Sequence, residues 1–216
     1  MGVQGQEFMD KRNQLLAERI IGRLAKRQMN GYYAADAAEA VDIAMSLIPE
    51  GSSVGWGGSM STVGLGLNDL IRQGNYQAID RDTAKTRQGR DDLMRQCFAA
   101  DAFIMGTNAL TEDGQLVNLD GDGNRVAALI WGPKKVIVLC GMNKVVPTLE
   151  DAITRARKVA APINAQRFEG DTPCRSKGVC GDCLKEDCIC GQLVVTRFSL
   201  RPDRIHVILV NENLGF

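Results

Sequence analysis

Short apolar runs alternate with amphipathic segments along most of the chain. Apolar residues recur every three or four positions from about Glu7 to Met29 and again from about Ala35 to Leu47, which predicts two helices. These helices form a predicted N-terminal helical segment over about residues 7–48. Four consecutive apolar residues, Val136–Leu139, indicate a strand that is buried on both faces. Strands that alternate with helices predict an α/β fold with a mainly parallel sheet.

Beyond Pro49, the predicted strands and helices follow one another in regular order. The predicted strands are Ser52–Trp56, Gln77–Asp80, Ala102–Met105, Gln115–Leu119, Lys134–Cys140, Leu193–Phe198 and Ile205–Val210. The predicted helices are Ser61–Gln73, Asp82–Cys97, Asn124–Ile130 and Leu149–Ala160, with Thr148 as the cap of the last and Pro162 beyond its end. The segment from about 162 to 191 has no period. Since no internal repeat or linker interrupts this order, we predict a single domain over residues 1–216.

Composition and charge argue against several classes of protein. The 26 basic residues balance the 26 acidic ones, whereas proteins that bind nucleic acids or anionic membranes usually have a basic surplus. No apolar run approaches the roughly 18 residues that a membrane-spanning helix needs. Met1–Asp10 lacks the apolar region of a signal peptide, so we predict a cytoplasmic protein. The sequence contains one histidine, His206, so a Ser-His-Asp triad has a single candidate for its histidine.

A glycine-rich turn lies where a predicted strand passes into a helix. It reads Gly55-Trp56-Gly57-Gly58-Ser59-Met60-Ser61-Thr62. Glycine lets the backbone approach a ligand closely, and free N–H groups at a helix start favour an anion. We therefore predict that a small anionic ligand contacts Gly55, Gly57, Gly58, Ser59 and Thr62. The alternative is a closely packed turn that binds nothing.

A second polar cluster follows the strand that contains Phe103. It consists of Thr107–Gly114 and Asn118–Arg125, and each part contains an acidic-glycine turn. One interpretation is a pair of hairpin turns, for which Asp-Gly is common. The other is a functional site. In that site Glu112 or Asp113 handles protons, and the ligand contacts are Thr107, Asn108, Gly121, Gly123, Asn124 and Arg125.

Three single residues add further predictions. Lys144 follows a strand end, where it would meet a phosphate or carboxylate, but a solvated lysine is the default expectation. His206 alternates with apolar neighbours and is predicted to face solvent or one polar contact. Trp131 is predicted to lie in the core.

Five of the seven cysteines lie close together late in the chain. They read Cys174-x5-Cys180-x2-Cys183-x4-Cys188-x1-Cys190. In a cytosolic protein such a thiol cluster favours a soft-metal site that holds zinc or an iron–sulfur cluster. Disulfides or free thiols are the alternative. Cys97 and Cys140 lie in apolar stretches and are predicted to be core residues.

Several of these blocks together resemble the LUD-domain family, the lactate-utilisation type. The blocks include Val54–Ser59, Asp120–Arg125 and Gly132–Val136, and the resemblance extends over roughly residues 8–213. It implies an α/β fold of the kind shared by ribose-5-phosphate isomerase, glucosamine-6-phosphate deaminase and CoA transferases. It also implies a role in oxidising lactate to pyruvate beside iron–sulfur partner proteins. A shared fold does not by itself transfer an activity.

The resemblance also suggests a set of metal ligands. Members of the family that carry cysteines have a C-x5-C-x2-C-x6-C loop, which maps onto Cys174, Cys180, Cys183 and Cys190. Cys188 stands where those members have arginine, so it is an alternative fourth ligand. The leading hypothesis is thus a lactate-utilisation protein with an anion site and a metal centre. The rivals are a non-catalytic sensing or assembly subunit that docks on an iron–sulfur partner, and an isomerase or transferase acting on a sugar phosphate or CoA ester.

Overall fold

Two β-sheets with helices packed against them make up the fold. A computed structural model describes residues 3–216, so Met1 and Gly2, where the N-terminal predictions begin, lie outside the described residues. The strands are β1 (Asn30–Ala34), β2 (Ser53–Trp56), β3 (Gln77–Ile79), β4 (Ala102–Gly106), β5 (Ala109–Thr111), β6 (Leu116–Asp120), β7 (Lys135–Gly141), β8 (Val145–Val146), β9 (Gln192–Thr196) and β10 (Ile205–Val210). The α-helices are α1 (Val3–Lys26), α2 (Ala37–Ser46), α3 (Met60–Gly64), α4 (Leu67–Gln73), α5 (Arg87–Gln96), α6 (Asn124–Ile130), α7 (Leu149–Arg155), α8 (Ala161–Ala165) and α9 (Pro173–Lys177).

The larger sheet has six strands in the order β1-β10-β7-β4-β2-β3, and every pair in it is parallel. This confirms the predicted α/β class with a mainly parallel sheet flanked by helices. The smaller sheet has the order β8-β5-β6-β9. In it β6 runs antiparallel to both β5 and β9, while β8 is parallel to β5. Hence β6 lies between two partners.

Both faces of the six-stranded sheet are covered, which explains the continuous apolar runs in the sequence. In β7, Val136, Val138 and Cys140 belong to the same buried cluster as the α1 residues Ala17, Ile20 and Leu24. The alternate residues Ile137 and Leu139 pack in a second cluster with α2 and α4. Cys140 and Cys97 are fully buried, as predicted for core residues.

The predicted N-terminal helical segment contains a strand. β1 lies between α1 and α2 and pairs with β10 at the edge of the larger sheet. The strand escaped prediction because it begins with Asn30-Gly31, a pair that is typical of a turn or a helix stop. The positions of the other predicted strands agree with the structure to within about two residues, but β5 and β8, three and two residues long, were not predicted.

The helix that begins after Thr148 is longer than its sequence pattern predicts. Thr148 and Asp151 form a capping box at its start, which confirms the predicted cap. A π-helical turn over Ala156–Ala160 then joins α7 to α8, so Pro162 lies inside the helical run rather than beyond it. The π turn replaces the usual i→i−4 hydrogen bonds of the helix. Less free energy of folding is therefore lost because Pro162 has no N–H group.

Predictions for two ring-bearing residues have different outcomes. His206 is buried rather than facing solvent, and its ring makes polar contacts, the other alternative predicted for it, with the Tyr32 hydroxyl at 3.0 Å and the Asp203 carbonyl at 2.9 Å. Trp131 was predicted to lie in the core, but it is 63% exposed after the end of α6. Along residues 3–216, none of the helices combines the length and the apolar character that crossing a bilayer demands.

Candidate functional site

A cavity of about 420 Å³ opens at the carboxyl ends of β2 and β4. One wall is the glycine turn after β2, and a second is the segment Gly106–Asn108 after β4. The end of β6 lines a third side of the cavity. So do Cys188 and Ile189, which belong to the cysteine-rich segment, about residues 162–191. Carboxyl ends of strands in open α/β sheets are where ligands usually bind, so this cavity is the candidate site.

The structure brings most of the predicted ligand contacts to this cavity. Those that line it are Gly57, Gly58, Ser59, Thr107, Asn108, Gly121, Asn124 and Arg125. Three predicted contacts are absent from the lining: Gly55, Thr62 and Gly123. Gly55 packs on the thiol of Cys97, where a methyl group would collide with the sulfur atom. The hydroxyl of Thr62 donates to the carbonyl of Ser59, and Gly123 starts α6 in a left-handed conformation.

Arg125 supports the cavity wall rather than offering free donors to a ligand. Its Nη1 donates to Gly106 O at 3.0 Å and to Asn118 Oδ1 at 2.7 Å. Its Nη2 donates to Asn108 Oδ1 at 3.1 Å and to Leu119 O at 2.7 Å, and its Nε lies 3.3 Å from an Asp120 carboxylate oxygen. All five N–H groups of the guanidinium are thereby engaged.

The side chains of two arginines pack against the glycine turn. A methyl group at Gly57 would lie 3.0 Å from Cδ of Arg125, and one at Gly58 would lie 3.2 Å from Nη2 of Arg81. The helix that follows, α3, has only five residues. The expected contribution of a helix start is therefore small, and side-chain charge is the main attraction for an anion.

Arg81 has hydrogen-bonding capacity that the surrounding residues do not use. Its Nε is buried without a hydrogen-bond partner, and the nearest Asp82 oxygen is 3.6 Å away. Burial, followed by the neighbouring charge of Arg90, lowers the pKa of Arg81. In the same cavity, the amide oxygen Oδ1 of Asn68 is buried and also has no partner. Such groups cost free energy until something fills their hydrogen-bonding positions.

Lys144 is a buried wall residue, contrary to the prediction of a solvated lysine. It is 2% exposed, and its Nζ donates to Ser61 Oγ at 2.8 Å. Burial lowers its pKa to about 8, because removal from water disfavours the charged amine. The thiol of Cys140 acts in the opposite direction, while the charges of Arg155 and Arg125 lower the pKa further.

The two carboxylates predicted to handle protons do not reach the cavity. Glu112 pairs with Arg19 at 3.3 Å, and Asp113 pairs with Arg27 at 2.5 Å, so both point towards α1. They lie in the turn between the antiparallel strands β5 and β6. The alternative interpretation, a hairpin turn, therefore describes this segment, and the structure gives these carboxylates a role in packing against α1.

The late cysteines lie near one another without forming a closed metal site. Burial and the nearby Cys188, Cys180 and Cys183 raise the pKa of Cys190 to about 11. Cys174 is buried on α9, and its thiol donates to the Thr172 hydroxyl at 3.2 Å. Throughout residues 3–216, no three His, Cys, Asp or Glu side chains are arranged to hold a metal ion. Cys188 is the one cysteine in the cavity lining of the described residues.

Sequence reasoning missed several cavity residues. Arg81, Asn68 and Arg167 all line the cavity, and Arg167 donates to the carbonyl of Gly58 at 3.0 Å. Each is a single polar residue outside any recognisable motif, so its local pattern carries no information. Only the chain path, which brings residues 68, 81 and 167 to the same strand ends, identifies them.

Comparison with known proteins places this geometry in a family. The sequence model of the LUD domain matches residues 17–210. A DUF162 family protein from Deinococcus radiodurans is 14% identical with a TM-score of 0.52, and the match covers 92% of this chain and 98% of that one. The eIF2B delta structure from Chaetomium thermophilum has 17% identity and a TM-score of 0.36, covering 56% of this chain and 54% of that one. Ribose 5 phosphate isomerase A from Neisseria gonorrhoeae has 16% identity and a TM-score of 0.34, covering 51% and 52%. No curated protein matches the chain in sequence.

Proposed function

Because the protein belongs to the LUD-domain family, we propose that it serves in the utilisation of lactate or a related organic acid, which it binds as a small carboxylate anion in the cavity. The observation that carries this proposal is the buried, unpartnered Nε of Arg81. A carboxylate on the ligand supplies the hydrogen-bond acceptor that this Nε lacks, because the Asp82 carboxylate, 3.6 Å away, is beyond hydrogen-bond distance.

The charges around the cavity support an anionic ligand. Five basic side chains, Arg81, Arg90, Arg125, Lys144 and Arg167, line it against four acidic ones, Asp82, Asp91, Asp120 and Asp122. Arg125 and Asp120 pair with each other, and Asp122 is exposed beside Arg87. Asp82 lies 3.6 Å from both Arg81 and Arg90, so two arginines share one carboxylate, and Lys144 is buried with no carboxylate paired to it among residues 3–216.

The amide oxygen of Asn68, which has no hydrogen-bond partner, narrows the chemical class of the ligand. Its buried oxygen accepts hydrogen bonds, so it would take one from a hydroxyl group on the ligand. A 2-hydroxy acid such as lactate has a carboxylate for Arg81 and a hydroxyl for Asn68. The volume of the cavity is also at the small end of the range for small-molecule sites, about 300–1,000 Å³.

The same proposal includes a metal centre in the cysteine-rich segment. Cys174, Cys180, Cys183 and Cys190 would hold it, with Cys188 as the alternative fourth ligand, and four thiolates suit zinc or an iron–sulfur cluster. The closeness of Cys180, Cys183 and Cys188 to Cys190 supports these members of the donor set, while the place of Cys174 in it rests on the family resemblance alone. Zinc would brace the segment, whereas an iron–sulfur cluster would exchange electrons beside the cavity.

Replacement of Arg81 tests the anion site. We expect Arg81→Gln to weaken binding of L-lactate by about tenfold or more, because a charge-assisted hydrogen bond is worth about 1.5–3 kcal/mol. Isothermal titration with lactate, pyruvate and inorganic phosphate measures the loss. Arg87→Gln is the matched control, since Arg87 is 84% exposed in its side chain and does not line the cavity. Equal affinities for wild-type protein and Arg81→Gln, or no binding of any of the three anions, would show that the assignment is wrong.

A further inference from the structure

Lys144 and Ser61 form a buried polar pair inside the cavity. Lys144 ends the short 3-10 helix Met142–Lys144 directly after β7, and Ser61 lies in α3 after β2. Both side chains line the cavity, and both residues are 2% exposed. Within residues 3–216, the hydrogen bond to Ser61 is the polar contact of the Lys144 side chain, and no carboxylate pairs with it. A buried amine without a carboxylate is costly, so its position calls for a chemical explanation.

We propose that Lys144 is a nucleophilic amine that forms an imine with a small anion carrying an aldehyde or ketone group, a 2-oxo acid or a phosphorylated carbonyl compound. This inference rests on the proposed anion site, because the basic groups of the cavity would hold the carboxylate or phosphate while the carbonyl carbon faces Nζ. The carbonyl chemistry is what the proposal adds to simple anion binding.

The surroundings of Lys144 favour the neutral amine that such a reaction requires. Only an unprotonated amine attacks a carbonyl carbon, and lysines become nucleophilic when they are desolvated or placed beside another cation. Burial and the charges of Arg155 and Arg125 both act in this direction and bring the pKa of Lys144 to about 8. The thiol of Cys140 is the group that acts against this lowering of the Lys144 pKa. Full burial raises the pKa of that thiol to about 11, which keeps it uncharged at neutral pH.

The reaction balances without an oxidant or a reductant. The lone pair of Nζ forms a bond to the carbonyl carbon, and the carbonyl oxygen takes up a proton to give a carbinolamine. That oxygen then leaves as water with the second proton from nitrogen, and a C=N bond forms. Ser61 Oγ, 2.8 Å from Nζ, is positioned to accept the proton from nitrogen and return it to the leaving oxygen.

Reductive trapping on the wild-type protein tests the inference directly. The full chain is incubated at pH 8 with cyanoborohydride and either pyruvate or glyceraldehyde 3-phosphate, and the labelled protein is mapped by peptide mass spectrometry. With pyruvate we expect one carboxyethyl group on Lys144, at least about tenfold more abundant than on the exposed Lys85, because a larger fraction of the buried amine is neutral. An aldehyde reacts faster than a ketone with any amine, so the arm with the larger ratio of Lys144 label to Lys85 label identifies the anionic group of the ligand. The proposal does not survive if label is spread evenly over exposed lysines or if Lys144 stays unmodified in both arms.

Lysine replacement and lactate binding separate this inference from the proposed function. Lys144→Arg keeps the charge but cannot form an imine, so we expect its label at position 144 to vanish. Lactate has no carbonyl to trap, and its affinity is measured independently by titration. If lactate binds in an Arg81-dependent manner but Lys144 is never labelled, the imine is excluded and the anion site remains. If Lys144 is labelled but lactate, pyruvate and phosphate show no Arg81 dependence, the imine stands and the Arg81 assignment fails.

Discussion

At the scale of single residues, burial gives Lys144 and Arg125 different properties. Arg125 is surrounded by carbonyl, amide and carboxylate oxygens that occupy all its donors. Lys144 has one serine hydroxyl and two cationic neighbours. The first arrangement stabilises the fold, whereas the second leaves an amine whose charge costs free energy and whose reactivity is raised.

We expect Lys144→Met to stabilise the protein at pH 7 and to lose this benefit in alkaline solution. The folded-state pKa of about 8 lies below the value of 10.5 for lysine in water. Below pH 8 the amine is charged in both states, so the folded protein bears the full cost of a buried charge, up to about 3 kcal/mol. Between pH 8 and pH 10.5 the unfolded chain binds more protons than the folded protein, so the free energy of unfolding of the wild type rises with pH. The difference in stability between Lys144→Met and the wild type therefore decreases.

Chemical denaturation at pH 7 and pH 10 measures this effect. Lys85→Met is the control, because Lys85 is exposed and its replacement should change the free energy of unfolding by less than about 0.5 kcal/mol. A Lys144→Met protein that is less stable than wild type at pH 7, or equally stabilised at both pH values, contradicts the electrostatic account.

The residues with unused hydrogen-bonding capacity were the hardest to predict. The glycine turn and Asn124 could be recognised because glycine and amide residues follow a strand end. Arg81 and Asn68 gave no such pattern, since an unpartnered atom is a property of the three-dimensional surroundings. Glu112 and Asp113 show the opposite case, because a local acidic-glycine pattern is the same for a hairpin turn and for a catalytic pair.

At the scale of secondary-structure elements, β2 must lie close to the helix that covers it. Gly55 in the middle of β2 packs against the thiol of Cys97, just after α5, and pairs with Phe103 of β4. The absence of a side chain at Gly55 therefore sets the distance between the sheet and this covering layer. Gly57 and Gly58 continue from this strand into the cavity wall.

We expect Gly55→Ala to destabilise the protein by about 1–3 kcal/mol, because the added methyl group overlaps a buried sulfur atom. Urea denaturation measures the change. Gly22→Ala in α1 is the matched control, since a methyl group there meets no atom within 4 Å. That change should stabilise by about 0.5–1 kcal/mol, because alanine loses less backbone entropy in a helix. A Gly55→Ala protein as stable as wild type would show that β2 and the layer over it move apart easily.

Elements with a strong local pattern were predicted well, and short or irregular ones were not. The bounds of α6, Asn124–Ile130, agree with the prediction, and β7 is the continuous apolar run of a doubly covered strand. β5 and β8 are too short to show a period, and β8 pairs with β5 alone in the smaller sheet. The π turn in Ala156–Ala160 has no sequence pattern of its own, so the helix end was placed too early.

At the scale of the whole molecule, the cysteine-rich segment connects two parts of the fold. It leaves α8, passes the cavity at Cys188 and Ile189, and enters β9, which pairs with β6. β6 in turn delivers Asp120 and the following Gly121 to the cavity. A methyl group at Gly121 would lie 3.6 Å from Cα of Ile189, so the segment and the cavity wall are in close contact.

We expect protein purified without oxygen to contain stoichiometric zinc or iron, and the double variant Cys180→Ser/Cys183→Ser to lose it, because serine is a poor ligand for soft metals. Metal analysis and a visible absorption spectrum distinguish the two, since an iron–sulfur cluster is coloured and zinc is not. Cys97→Ala should keep its metal, as that thiol is buried in the core. Oxygen-free material without either metal would exclude the proposed centre.

The contact between Ile189 and the cavity wall has a practical consequence for binding experiments. Air oxidation that joins two neighbouring thiols would shorten the segment and pull on the residues between them. Cys188 and Ile189 would then shift at the cavity mouth, so a fresh sample and an aged one should differ in apparent affinity for the same anion. The redox history of each preparation is therefore an experimental variable that belongs beside its pH and salt concentration.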